Sequence, residues 1–197
     1  MEILTKLIDR DFKKNQKKTK IVLTHTSREY KEYLVSLKKR FSGEYVKIPH
    51  YLILKNGKVL NLLEDFKCPI FFNQDQLNKN SIIISLENFG WLEKLPLKNY
   101  YINWIGSIYK EKPFERKWRD YVNWHPYTDI QIIQTANLCK ELSKKYEINL
   151  KCIGHNTKVK GAENFEGIIT ESNFNLFTNK VSPAFDFEKF EKLLKNE

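Results

Sequence analysis

The sequence is poor in cysteine, glycine and proline, and it has no long apolar run. Among 197 residues the cysteines are only Cys68, Cys139 and Cys152. They are odd in number, far apart and outside any Cys-x-x-Cys pair, which excludes a disulfide framework and a cysteine-based zinc module. They are expected to be reduced and mostly in the core. Seven glycines and six prolines exclude collagen-like and low-complexity chains. No apolar stretch approaches the ~20 residues of a membrane span, and the start Met1-Glu2-Ile3-Leu4-Thr5-Lys6 has no apolar signal-peptide core. Synthesis in the cytoplasm is therefore expected, with any route outward supplied by other components. The chain is rich in positive charge, with 34 Lys+Arg against 24 Asp+Glu, net +10 and pI near 9.3. With 41% hydrophobic and 14% aromatic residues it is not an intrinsically disordered chain. Its length fits one domain, at about 150 residues per domain. The basic balance suits a polyanion such as nucleic acid, anionic lipid or bacterial wall polymer. A solubilising lysine-rich surface would look the same.

Along the chain, residues 1–20 form a basic lead in which Ile3, Leu4, Leu7 and Ile8 suggest a short helix. Ile21-Val22-Leu23 reads as a buried strand running into Thr24-His25-Thr26-Ser27. Tyr30, Tyr33, Leu34, Leu37 and Phe41 are spaced as an amphipathic helix over 28–41. Two apolar runs, 50–54 and 59–63, flank Asn56-Gly57 and predict a hairpin. Residues 64–80 are irregular, and Ser81–Leu86 reads as a central strand. Residues 91–126 contain all four tryptophans and are set apart as an aromatic-rich insertion, suited to stacking on sugar or base or to capping the core. Thr128 caps a helix to about Tyr146, with Gln131 in the capping-box position. Residues 149–153 read as a strand ending at Gly154-His155, 156–182 as loop, and Asp186 as the N-cap of a last helix. The expected fold is α/β, a single domain over 1–197 with a central mixed β-sheet flanked by helices.

His25 and His155 each follow a strand, where side chains project from a rigid frame into an open crevice. Two imidazoles at neighbouring strand ends could begin a zinc site, which needs a third protein ligand and an open position. A hydrogen-bonded structural histidine is the other reading of each. Six short motifs stand in a recognisable order. They are Leu23-Thr24-His25-Thr26-Ser27, His50-Tyr51-Leu52-Ile53 with Asn56-Gly57, Ser81–Leu86, Thr128-Asp129-Ile130-Gln131, Ile153-Gly154-His155 and Pro183-Ala184-Phe185-Asp186-Phe187. This order resembles the zinc-dependent N-acetylmuramoyl-L-alanine amidases of the phage-lysozyme and peptidoglycan-recognition-protein type, over about residues 20–195.

The resemblance implies an amide hydrolase acting between N-acetylmuramic acid and L-alanine of peptidoglycan through a zinc-activated water. It assigns His25 and His155 to the metal. It places His50, with Tyr51, beside the cleft on the substrate side or in a structural role, and Thr178 also on the substrate side. Several departures accompany it. Lys180 stands at the third-ligand position and Thr178 at a family lysine. Ser85 stands at a strand glutamate and Pro49 at a tyrosine that some members lack. Glu87 could replace the missing glutamate, one pleat along the strand. Glu163, Glu166 and Glu171 are the candidates for a third ligand. His125 has no counterpart. Three functions follow: an active, phage-derived amidase, a degenerate amidase fold that binds peptidoglycan or muropeptide or serves as a phage structural protein, and a basic nucleic-acid-binding protein. In the first two, the wall would be reached after phage-mediated release or as part of a virion.

Overall fold

The computed structural model describes all residues except Met1, Arg10, Gln16, Asn196 and Glu197. Its main sheet has six strands: β1 (Ile3–Thr5), β2 (Lys20–His25), β3 (Tyr51–Ile53), β4 (Val59–Asn61), β5 (Ser81–Leu86) and β11 (Gly167–Thr170). Their order is β1-β4-β3-β5-β2-β11. β5, β2, β11 and β3 run parallel to their neighbours, while the β3–β4 hairpin is antiparallel, so the sheet is mixed. The fold class is the expected one.

Alternation along the strands divides the core. Ile21 and Leu23 of β2 and Ile82, Ile84 and Leu86 of β5 face one side. There they meet Ile132, Ala136 and Cys139 of α3 (Asp129–Tyr146) and Phe190 and Leu194 of α5 (Phe187–Lys195). Val22, Ile83 and Ile169 face the other side, against Leu77 of α2 (Asp75–Asn80). Beside them Tyr33 and Leu37 of α1 (Tyr30–Lys39) cover Leu52 and Leu60. Each fully buried aliphatic side chain stabilises the fold by roughly 1.5–3 kcal/mol relative to exposure. α3 begins with the expected capping box: the Gln131 amide donates to Thr128 Oγ1 at 3.2 Å, and the Thr128 amide to Gln131 Oε1 at 3.2 Å. At α5 the Lys189 amide donates to Asp186 Oδ1 at 2.9 Å.

Two expectations are corrected. Residues 3–5 form an edge strand parallel to β4, not a helix. Pairing with β4 satisfies backbone groups that so short a helix would leave open. The supposed loop 156–182 contains β11 and a one-turn helix, α4 (Glu171–Phe174). β11 takes the place beside β2, with Gly167 opposite Lys20 and Thr170 opposite Leu23. The run 149–153 is left outside it, joined by the single bridge Cys152–Ile168. Gly167 permits this layering. Its φ is +137°, and a Cβ there would lie 2.4 Å from the Lys151 carbonyl oxygen.

Residues 91–124 build a second, antiparallel sheet in the order β8-β7-β6-β10-β9. Its strands are β6 (Trp91–Lys94), β7 (Tyr101–Ile102), β8 (Ile108–Tyr109), β9 (Phe114–Trp118) and β10 (Tyr121–Trp124). Trp124 is fully buried and its indole N–H donates to the Arg116 carbonyl at 2.8 Å. Trp91 and Tyr121 stack with ring centroids 4.6 Å apart. The sheet is tied to the end of β5 by the His125 amide on the Gly90 carbonyl (2.9 Å) and Asn88 Nδ2 on the His125 carbonyl (3.0 Å). Among the described residues no helix is long and apolar enough to cross a membrane.

Candidate functional site

A groove of about 450 Å³ opens at the C-terminal end of β2, between α1, the base of the second sheet and the segment 177–180. Parallel strands deliver their C-terminal ends to such crevices. His25, the last residue of β2, lies in it but is almost fully buried. Its Nδ1 shares a 2.8 Å hydrogen bond with the Tyr127 hydroxyl. Its Nε2 faces Gly90: a Cβ on Gly90, whose φ is +80°, would lie 3.0 Å from that nitrogen. Burial, then the Lys180 charge and His125, hold the imidazole pKa well below its ordinary value, so the ring is neutral.

Lys180 reaches into the same groove. Its Nζ donates to the His25 carbonyl at 2.7 Å and also contacts Ser27 Oγ. Burial lowers its pKa to about 8, with Arg28, Arg40 and Lys47 adding to the effect and Glu171 opposing it. The ammonium form still dominates at neutral pH. Glu171, directly after β11, accepts from Thr24 Oγ1 at 2.6 Å. Arg28 lies over the Trp104 ring at 5.0 Å, and the Trp104 indole donates to the Ser27 carbonyl at 2.7 Å. Arg40 lies over Tyr45 at 5.3 Å. Four cationic side chains, Arg28, Arg40, Lys47 and Lys180, thus line the groove against one carboxylate, Glu171.

The other sequence-predicted residues are dispersed. His155 is exposed and outside the groove, its Nδ1 accepting from the Thr157 amide at 3.2 Å. With β11 between, its segment lies two strand spacings from β2, about 10 Å. Glu87 is buried, and its two carboxylate oxygens accept from the Tyr30 and Lys55 amides at 3.0 and 2.9 Å. Ser85 is fully buried in β5. His50 is fully buried between the Lys67 carbonyl and the Ile83 amide, each at 3.0 Å. Tyr51 donates to Asp65 at 2.6 Å, remote from the groove. Thr178 does line the groove. Of the three glutamates proposed as a third ligand, Glu171 lies there, whereas Glu163 and Glu166 precede β11 at the opposite end of the sheet. Arg28, Arg40, Lys47 and Tyr127 were not foreseen, whereas Trp91 and Trp104 belong to the aromatic segment singled out for stacking and line the groove. Of those four, only Arg28 had a local signal, its position directly after the His25-Thr26-Ser27 motif.

A family model described as N-acetylmuramoyl-L-alanine amidase matches residues 14–167. The chain belongs to the N-acetylmuramoyl-L-alanine amidase family. Its function is accordingly amidase-like. No curated protein matches by sequence. Among solved structures, the endolysin amidase LysCS of Clostridium intestinale is 13% identical, with TM-score 0.57 over 100% of this chain and 97% of that one. AmiD of E. coli, solved with anhydro-N-acetylmuramic acid-L-Ala-D-γ-Glu-L-Lys, is 15% identical, with TM-score 0.57 over 94% of this chain and 60% of its own. The endolysin of Thermus scotoductus bacteriophage Ph2119 is 13% identical, with TM-score 0.53 over 99% and 100%. At these identities the likeness establishes the fold.

Zinc is typical of the family, so the donor set of this chain is the relevant test. Zinc needs three protein donors converging on one point. Here His25 uses Nδ1 on Tyr127 and turns Nε2 to Gly90, His155 lies outside the groove, and an ammonium group occupies the groove beside His25. No group of three or more His, Cys, Asp or Glu side chains among the described residues is arranged to hold a metal. These residues do not fit a zinc ion.

Proposed function

We propose that this protein recognises the muramoyl-peptide unit of peptidoglycan in the β2 groove and holds it without zinc-assisted cleavage. The observation that carries this reading is the coincidence, in a chain of this family, of an open groove with the Lys180 ammonium at its floor. Trp104, Trp91 and Tyr45 give the walls apolar faces for sugar rings. The arginines and lysines give them charge for an anionic wall. Amide hydrolysis is the second reading, favoured by the family match itself. A phage-derived protein that meets the wall on release or as part of a virion is consistent with either.

The test combines retention on insoluble peptidoglycan, bound-zinc measurement and assay of released peptide, with a zinc amidase run in parallel. Retention without release, and with far less than one zinc per chain, is the expected result. Peptide release together with one zinc per chain would establish the second reading instead. A salt-sensitive DNA shift without wall retention would overturn both in favour of nucleic-acid binding.

A further inference from the structure

Beside the main groove lies a hollow of about 270 Å³ that shares Lys47, Phe71, Glu171 and Phe177 with it as walls. The lining of both is predominantly basic, with Glu171 the one carboxylate among the described residues of either. Arg28, Arg40 and Lys47 surround Lys180 closely enough for their charges to act on it, where Glu171 opposes them, and Glu32 acts on Arg28 from outside the groove lining. The Lys180 ammonium has three N–H donors. It spends one on the His25 carbonyl and one on Ser27 Oγ. The third is available to a ligand. The arginines are braced by aromatic rings, Arg28 on Trp104 and Arg40 on Tyr45, which reduces the freedom lost when a ligand binds. Such an array pays little to meet a carboxylate and much to be left with a neutral group.

We infer that the groove selects ligands whose peptide arm carries a free carboxylate over the same ligands with that group amidated, with Lys180 supplying the fixed positive charge that a metal ion would otherwise bring. This deepens the muramoyl-peptide reading and rests on it for the identity of the sugar. The charge selectivity itself rests on the four cations. An ammonium needs no metal, so binding near neutral pH is expected to be indifferent to chelators.

The experiment is calorimetric titration of the full chain, in EDTA, with four probes. These are N-acetylmuramoyl-L-alanyl-D-glutamate, its dicarboxamide, and the acid and dicarboxamide forms of the sugar-free N-acetyl-L-alanyl-D-glutamate. Each acid is expected to bind at least tenfold more tightly than its carboxamide, with the difference shrinking in high salt. Lys180→Met is expected to reduce acid binding about tenfold or more. Lys47→Met, at a less buried position, should reduce it about threefold with the fold intact. Equal affinities for acid and carboxamide would overturn this inference and leave the peptidoglycan reading standing. Acid selectivity with no gain from the muramoyl group would keep the inference and remove that reading. Binding that appears only when zinc replaces EDTA, or no binding by any of the four probes, would overturn the inference.

Discussion

His50 offers a test of the fold's electrostatics that is independent of any ligand. The imidazole is fully buried and neutral, with Nε2–H donating to the Lys67 carbonyl and Nδ1 accepting from the Ile83 amide, both at 3.0 Å. Protonation would remove the acceptor from Nδ1 and set an N–H against the Ile83 N–H. Burial, reinforced by the Lys18 charge, lowers the pKa from 6.5 to about 4, despite the opposing Lys67 carbonyl and Asp65. The folded value is below the unfolded one, so the unfolded chain takes up the proton first as pH falls. His50 therefore contributes its full stability above about pH 6.5 and loses it progressively down to about pH 4. The difference between those values corresponds to about 3 kcal/mol. His25 and His125 are also depressed and add slope in the same direction. The His50 share is isolated by comparing wild type with His50→Gln in urea unfolding between pH 4 and 7.5. The variant should be less stable at pH 7, by roughly 1–3 kcal/mol for imperfectly satisfied buried groups. Near pH 5 its pH slope should be shallower by about 1.4 kcal/mol per pH unit, the equivalent of one proton. Parallel stability curves over this range would refute the reasoning.

Three further perturbations have expected outcomes. Asp65 is buried and accepts from Tyr51 (2.6 Å), Tyr146 (2.9 Å) and Lys145 (2.8 Å); burial raises its pKa, but these partners more than compensate and hold it low. Asp65→Asn should cost about 2–3 kcal/mol near neutral pH, and the wild-type advantage should fade below about pH 4 as the carboxylate is protonated; an undiminished advantage at pH 2.5 would refute this. Thr128→Ala removes the side-chain half of the capping box, the acceptor for the Gln131 amide, and the 2.7 Å bond to the Lys55 carbonyl, and should destabilise by about 1–2 kcal/mol in thermal unfolding. Trp124→Ala should cost about 3–5 kcal/mol and release the second sheet first, read as faster proteolysis and amide exchange within 91–124 than in β2 or β5.

What was legible in the sequence was local. The β3–β4 hairpin announced itself through Asn56-Gly57, α3 through Thr128 and Gln131, and β2 and β5 through dense β-branched runs. What was hidden depended on pairing at long range. β11 is four residues long, with only Ile168 and Ile169 as an apolar signal between Glu166 and Glu171. It becomes a strand because β2, almost 150 residues earlier, offers an open edge. Residues 149–153 have the stronger pattern and yet make only one bridge. The candidate site divides the same way. His25 and Lys180 could be placed by motif, and both lie in the groove. Arg40, Lys47 and Trp104 join them only through tertiary folding, which no spacing rule encodes.

The position of β11 has a consequence for which motif residues can share a site. A site built across two adjacent strands is defined by their adjacency as much as by the residues they carry. One strand slipped between them moves the partner by about 5 Å per spacing, far beyond the roughly 0.5 Å tolerance of a working constellation. His25 and His155 can both be present in the sequence and still have no shared chemistry. Strand order, which short motifs do not carry, decides which of the residues they contain can meet.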